Sequence, residues 1–255
     1  LGVEVKKIGD NKYDIRALNI KSNILDEEKT RKLRASITLV APLLVRMGKV
    51  EFHHPGGCLL GKRPIDIFLD GFKAFGANIK QGKDKYIISA KKICGAKFFF
   101  RQISVTATET LMMLGVMAEG RTVLKNAAQE PEIQSLAEFL HQCGAKIQGA
   151  GTSTITIDGV REIKSGTYET IPDRIEAGSF AILAAATNSN IKIKKCNPAH
   201  LEVLWKIFEE IGVNFSLGKD YVVIKRSKNN YKAINIKTHE YPGLATDIQP
   251  PLTVL

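Results

Sequence analysis

Apolar residues recur along this chain with two periods that alternate in a fixed order. Short alternating runs at Gly48-Lys49-Val50-Glu51-Phe52, Gly120-Arg121-Thr122-Val123-Leu124 and Ser189-Asn190-Ile191-Lys192-Ile193 predict strands with one buried face. A proline follows each run, Pro64, Pro131 and Pro198, at intervals of 67 residues. Proline suits a first helical turn, where its missing N–H has no intrahelical partner. In the last two segments Ile133, Leu136, Ala137 and Leu140, and then Leu201, Leu204, Phe208 and Ile211, fall on one helical face and predict core. Each helix is expected to stop at a glycine, Gly76, Gly144 or Gly212, 68 residues apart, because a C-terminal cap needs positive φ. Strand pairs turning near Gly82, Gly151 and Gly218 should follow, and another helix should precede each first strand, over residues 35–47, 107–119 and 176–188. The unit is therefore β-α-β-α-β-β with a period of about 68 residues, which predicts an α/β fold built by repetition.

The repeat reassigns several motif-like stretches. Gly149-Ala150-Gly151 begins like a dinucleotide fingerprint, but Thr154 takes the third glycine position and the segment aligns with hairpin turns elsewhere. Residues 56–62 fit G-x-x-x-x-G-K, yet Arg63 stands where a hydroxyl would hold magnesium. His53 and His54 are neighbours on a strand and should face opposite ways, which argues against a shared metal. The repeats also differ in length: 28 residues separate Gly48 from Gly76, against 24 from Gly120 to Gly144 and 23 from Ser189 to Gly212. The extra residues form Pro55-Gly56-Gly57-Cys58-Leu59-Leu60-Gly61-Lys62-Arg63. Glycines let backbone approach a ligand, whereas the cations and a following helix start attract anions and lower a thiol's pKa. Cys58 is thus either a small buried residue or a reactive thiol, and its setting favours the second.

Composition narrows the picture only a little. With 255 residues, 44% of them apolar, the chain can bury a sizeable core in one large domain or two smaller ones. Apolar runs are short, and the one from Leu39 is broken by Pro42 and ended by Arg46, so no membrane span is expected. The start has neither a basic nor an apolar leader pattern, which predicts a cytoplasmic protein. Cys58, Cys94, Cys143 and Cys196 are far apart without a C-x-x-C pair, so free thiols are expected and a zinc site is not. The net charge of +11 favours an anionic partner, but the lysines are scattered and lack an Arg-aromatic block, which argues against nucleic acid.

One set of motifs is specific. Pro55-Gly56-Gly57-Cys58 followed by Gly61-x-Arg63-Pro64-x-Asp66 resembles the catalytic loop of the UDP-N-acetylglucosamine 1-carboxyvinyltransferase family of enolpyruvyl transferases. Residues 33–37, 103–105, 126–132, 172–176 and 246–249 agree with that family in order and spacing. The resemblance implies two inside-out α/β barrel domains made of such units. A first domain over residues 1–171 would carry the cysteine loop, and an incomplete second domain over 172–255 would carry the base.

The implied reaction moves the enolpyruvyl group of phosphoenolpyruvate to the 3′-hydroxyl of UDP-N-acetylglucosamine with release of phosphate, in early peptidoglycan synthesis. Cys58 is implied as proton donor and target of epoxides such as fosfomycin, and Asp247 as base, a role compatible with the plainer reading of Asp247 as a helix N-cap before Ile248. Arg34, Arg63, Pro64, Ile65, Asp66, Ile67, Gln102, Ile103, Ser104 and Val105 match positions that bind the nucleotide sugar. Asp66 could accept from a uracil N–H or a sugar hydroxyl. Arg174 and Glu130 fit either interdomain positions or ordinary surface pairing. No cofactor and no metal are implied, and neither a membrane nor a nucleic-acid partner.

Three departures reshape the expected site: Gln102 stands in place of a common lysine, Thr106 in place of a glycine, and Phe68 where some members carry histidine. Two alternatives remain open, a shikimate 3-phosphate enolpyruvyl transferase and a non-catalytic nucleotide-sugar-binding remnant. The resemblance further implies that both ends of the usual protein are absent, which predicts weak sugar binding and negligible turnover by these residues alone.

Overall fold

The three predicted stop glycines all adopt positive φ, 88° at Gly76, 98° at Gly144 and 93° at Gly212, so the repeat read from spacing is also a repeat of backbone conformation. The structure, a computed structural model, describes residues 1–57, 63–227 and 230–255. It divides into two compact units, one of Leu1–Ala127 with Leu136–Gly166 and one of Ala128–Ser135 with Thr167–Leu255.

The first unit opens with β1 (Glu4–Gly9) and β2 (Lys12–Arg16), an antiparallel pair that forms a two-stranded sheet among the described residues. The short helix α1 (Glu27–Lys32) is capped by Asp26, whose carboxylate accepts from Lys29 N. A 3-10 turn, Arg34–Leu39, leads into α2 (Val40–Met47), which ends at Gly48 with φ of 67°. Next come β3 (Lys49–His53), α3 (Asp66–Ala74), β4 (Asn78–Gln81) and β5 (Lys85–Ser89), with antiparallel sheet order β3-β5-β4. Then follow β6 (Lys97–Phe99), α4 (Val105–Val116), β7 (Arg121–Lys125), α5 (Pro131–Gln142), of which the part up to Ser135 belongs to the second unit, β8 (Lys146–Gln148) and β9 (Thr154–Asp158), with order β6-β7-β9-β8.

The second unit repeats the plan. Helix α6 (Arg174–Ala186) starts on an Asp173 cap and precedes β10 (Ile191–Lys194). A 3-10 turn at Pro198–Leu201 runs into α7 (Glu202–Ile211), followed by β11 (Asn214–Leu217) and β12 (Tyr221–Lys225), with sheet order β10-β12-β11. The chain continues to a 3-10 turn, Thr246–Ile248, and α8 (Gln249–Val254).

One part of the predicted unit is uneven. The opening strand is complete in the second repeat, where β6 pairs parallel with β7. In the first repeat it shrinks to a single bridge between Ile24 and Glu51. There the Ser22 hydroxyl accepts from Ile24 N at 3.0 Å, a local bond that competes with a longer ladder. In the third repeat no such strand forms among the described residues, since the segment before α6 carries Gly166 and Pro172 and lacks apolar alternation.

Each core is built around one helix that is apolar on nearly all sides. In the first unit this is α4, which buries Ala107, Leu111, Met112, Leu114 and Val116. A Cβ on Gly71 of α3 would lie 2.5 Å from Leu111 Cδ1, so the glycine lets α3 approach α4 closely. In the second unit α6 buries Ala177, Ala181, Ile182 and Ala185, and Gly178 leaves room for Ile248 and Leu204. Trp205 lies in that core and donates from Nε1 to Pro198 O at 2.7 Å. Among the described residues no helix is long and apolar enough to cross a membrane.

Candidate functional site

In the first unit the starts of two helices line one cavity of about 690 Å³. Arg63, Pro64, Asp66, Ile67 and Phe68 come from the beginning of α3, and Arg101, Gln102, Ile103, Ser104 and Thr106 from the beginning of α4. Arg34 completes the wall from the 3-10 turn after α1. A helix start presents N–H groups without intrahelical acceptors together with the positive end of the helix dipole, and two such starts favour an anion. The Ser104 side chain caps α4 by accepting from Ala107 N at 3.3 Å.

The charges are arranged unequally. Arg101 is tied to Asp70 at 2.5 Å, whereas Arg63 is exposed and forms no ion pair among the described residues. Arg34 is half-buried and spends its donors on main chain, giving Nη1 to Arg63 O at 2.9 Å and to Pro55 O at 3.3 Å, and Nη2 to Pro64 O at 3.0 Å. Burial first, and the nearby Arg63 cation second, push its pKa below the ordinary arginine value. The cavity therefore combines rigid backbone donors, a free guanidinium at Arg63, an exposed carboxylate at Asp66 and an apolar floor from Ile67, Phe68 and Ile103. That set can hold a polar ring and an attached anionic chain.

Eight of the ten residues expected to hold the nucleotide sugar line this cavity: Arg34, Arg63, Pro64, Asp66, Ile67, Gln102, Ile103 and Ser104. Ile65 does not, because it is 2% exposed and packs inward as the residue before α3. Val105 begins α4 half-buried and lies outside the lining. Cys58 falls outside the described residues. Arg101 escaped the sequence reading, and its only signal there was its place beside Gln102. The departures Phe68 and Thr106 both line the wall.

Asp247 belongs to the second unit, exposed within the Thr246–Ile248 turn. It is not the N-cap, since Ala245 holds that place and makes no side-chain capping bond. Leu244 and Ile248 are buried on either side and turn the carboxylate outward. In the same unit Arg174 donates to Glu132 at 3.1 Å and lies over the Tyr241 ring at 5.5 Å. Glu130 is 8% exposed, with Oε2 lacking a partner among the described residues. His200 Nε2 takes a hydrogen bond from Asn197 Nδ2 at 2.9 Å, while its buried Nδ1 lacks a protein partner there. Burial lowers the His200 pKa, which Glu132 raises and Arg174 lowers further.

A family model described as EPSP synthase (3-phosphoshikimate 1-carboxyvinyltransferase) matches residues 1–255. The chain belongs to this family. The chain is 42% identical over 255 residues to a UDP-N-acetylglucosamine 1-carboxyvinyltransferase of Clostridium botulinum, covering all of itself and 61% of that relative. It is 44% identical to UDP-N-acetylglucosamine 1-carboxyvinyltransferase 2 of Clostridium acetobutylicum, again along the whole chain and 60% of the relative. The chain thus spans about three fifths of the length of the curated relatives it matches. Among solved structures, the enolpyruvyl transferase NikO of Streptomyces tendae superposes with a TM-score of 0.83 at 19% identity, over 98% of this chain and 60% of that one. EPSP synthase of Acinetobacter baumannii gives 0.72 at 18% identity, over 98% of this chain and 59% of that one. These two likenesses establish the enolpyruvyl transferase fold.

Proposed function

We propose that the chain serves enolpyruvyl transfer from phosphoenolpyruvate to UDP-N-acetylglucosamine, with the 690 Å³ cavity as its nucleotide-sugar site. The observation that carries this reading is the convergence of Arg63, Asp66, Gln102 and Ser104 on two helix starts. A diphosphate suits unpaired N–H groups and the free Arg63 guanidinium, and Asp66 is placed to accept from a uracil N–H or a sugar hydroxyl. The names of the relatives at 42% and 44% identity agree with this substrate.

In this reading the sugar 3′-oxygen adds to C2 of phosphoenolpyruvate while Cys58 delivers a proton to C3. Asp247 receives the proton leaving the 3′-hydroxyl. Loss of a proton from C3 and of phosphate from C2 then restores the double bond in the product. The thiol suits this task because a free cysteine's pKa, about 8.5, already lies close to working pH. Residues 1–171 would form the first inside-out barrel domain and residues 172–255 part of a second, in the cytoplasm.

Titration calorimetry tests the binding half. UDP-N-acetylglucosamine should bind, and Arg63→Ala should weaken it at least about tenfold. Binding of shikimate 3-phosphate with none of the nucleotide sugar would overturn the assignment in favour of the sister reaction. For the chemical half, Asp247→Asn in the catalytically competent protein should cut phosphate release about 100-fold or more and leave sugar affinity nearly unchanged. Equal loss of affinity and rate would remove Asp247 from the role of base.

A further inference from the structure

The hydrogen bonds of Arg34 set it apart from the other cations of the cavity. Its guanidinium reaches three carbonyls that lie on both sides of one stretch of chain, Pro55 on one side and Arg63 and Pro64 on the other. The backbone beside Arg34 holds the near side as well. Gly56 N donates to Thr30 O at 3.1 Å, at the end of α1. Gly57 has φ of 89°, and a Cβ there would lie 2.8 Å from Lys32 O and 2.9 Å from Arg34 N. Residues 30–34 therefore grip the near side through backbone and the far side through a side chain. This anchor is itself fixed to the sheet, because Leu25 N donates to Glu51 O and Glu51 N to Asn23 O, both at 2.9 Å.

We infer that Arg34 is a positioning residue, which ties Pro55 to Arg63 and Pro64 and thereby fixes where the Arg63 and Asp66 side chains enter the cavity. This rests on the reading of the cavity as the nucleotide-sugar site, and deepens it by separating the two arginines. Arg63 touches the anion and Arg34 holds the wall from which Arg63 projects. A planar fork with donors at fixed angles is suited to bridging carbonyls on two segments. Lysine concentrates its donors on one atom at the end of a flexible stem and should hold the segments less well. Placing two guanidinium groups together is costly, and the three carbonyl dipoles around Arg34 offset that cost.

The test uses the ligand-free protein first. Amide hydrogen exchange in Arg34→Ala should rise at least about tenfold at Gly56, Arg63 and Ile65 and stay unchanged in α4, with Arg34→Lys intermediate. A phosphate ligand would leave ligand-free exchange unchanged, so unchanged exchange overturns the inference. Uridine, which has no phosphate, and uridine diphosphate are then titrated by NMR. A positioning role predicts that Arg34→Ala weakens uridine, through Asp66, by about tenfold and the diphosphate by at least as much, whereas loss confined to the diphosphate would make Arg34 a phosphate ligand and sink the proposal. If the unaltered protein binds neither probe, the nucleotide-sugar reading fails, and the exchange data alone decide whether Arg34 ties the wall.

Discussion

Immediately after the strand that precedes each proline-led helix, the three repeats carry His54, Asn126 and Lys195. Asn126 and Lys195 are left-handed, with φ of 56° and 54°, and His54 is not. A left-handed residue turns the chain at once, which is why the second and third repeats reach their helices by short connections. Asn126 suits the place because asparagine tolerates this region, and its Nδ2 also donates to Phe100 O at 2.8 Å. In the first repeat the chain runs on through Pro55 and the glycines, and its path is set from outside by α1 and Arg34. The same scaffold thus carries two kinds of junction. One is closed by its own backbone, and the other is left long and held by a neighbour, at the edge of the cavity.

Three experiments bear on this contrast. The largest effect should come from Gly56→Ala, whose new Cβ would run into the Arg31 carbonyl oxygen. Because that obstacle is backbone, a loss of about 3 kcal/mol is expected from urea unfolding. A loss under about 1 kcal/mol would show that α1 does not hold the long junction. Next, Asn126→Ala should cost about 1–2 kcal/mol through strain and a lost hydrogen bond. The matching His54→Ala should stay within about 0.5 kcal/mol, and equal costs would erase the distinction.

The smallest effect concerns the third junction, where His200 sits in the turn before α7. Its folded pKa lies below the ordinary 6.5, so the unfolded chain takes up a proton that the folded protein resists. Stability should therefore fall as pH drops through 6.5, and His200→Gln should flatten that decline. Trp205, the single tryptophan, lies in the same unit and reports the transition by fluorescence. An unchanged pH profile in the variant would assign the decline to other groups.

The repeat was legible because its markers are local: a cap glycine needs positive φ and a helix start accepts proline, whatever surrounds them. Even so, Pro64 sits two residues before α3, and Pro198 opens a 3-10 turn rather than the α-helix itself. The opening strand was less legible, since its formation depends on rivals such as the Ser22 hydroxyl, which no periodicity reveals. For the cavity, motif positions gave eight lining residues but also Ile65 and Val105, whose side chains do not line it. Sequence adjacency does not say which neighbour points outward at a helix start. The ties of Arg34 to Pro55, Arg63 and Pro64 cross more than twenty positions, so they become visible only after folding. Asp247 reads as a cap by composition, but Leu244 and Ile248 fix the turn by burial instead.

The hairpin of β1 and β2 bears on how the protein behaves when concentrated. Among the described residues it stands as a two-stranded sheet, with Val5 opposite Ile15 and Lys7 opposite Tyr13, and the Val5, Tyr13 and Ile15 side chains are exposed. An unpaired strand edge beside apolar surface is a template for strands of other molecules. Lys6, Lys7, Lys12 and Arg16 exceed Glu4, Asp10 and Asp14 by a single charge on the same ribbon, so the repulsion that keeps copies apart comes mainly from the +11 net charge of the whole chain. That protection is colloidal and therefore borrowed from the buffer. At about 1 M salt the screening length shrinks to roughly 3 Å, neighbouring molecules no longer sense that charge, and the ribbon is left open to clustering.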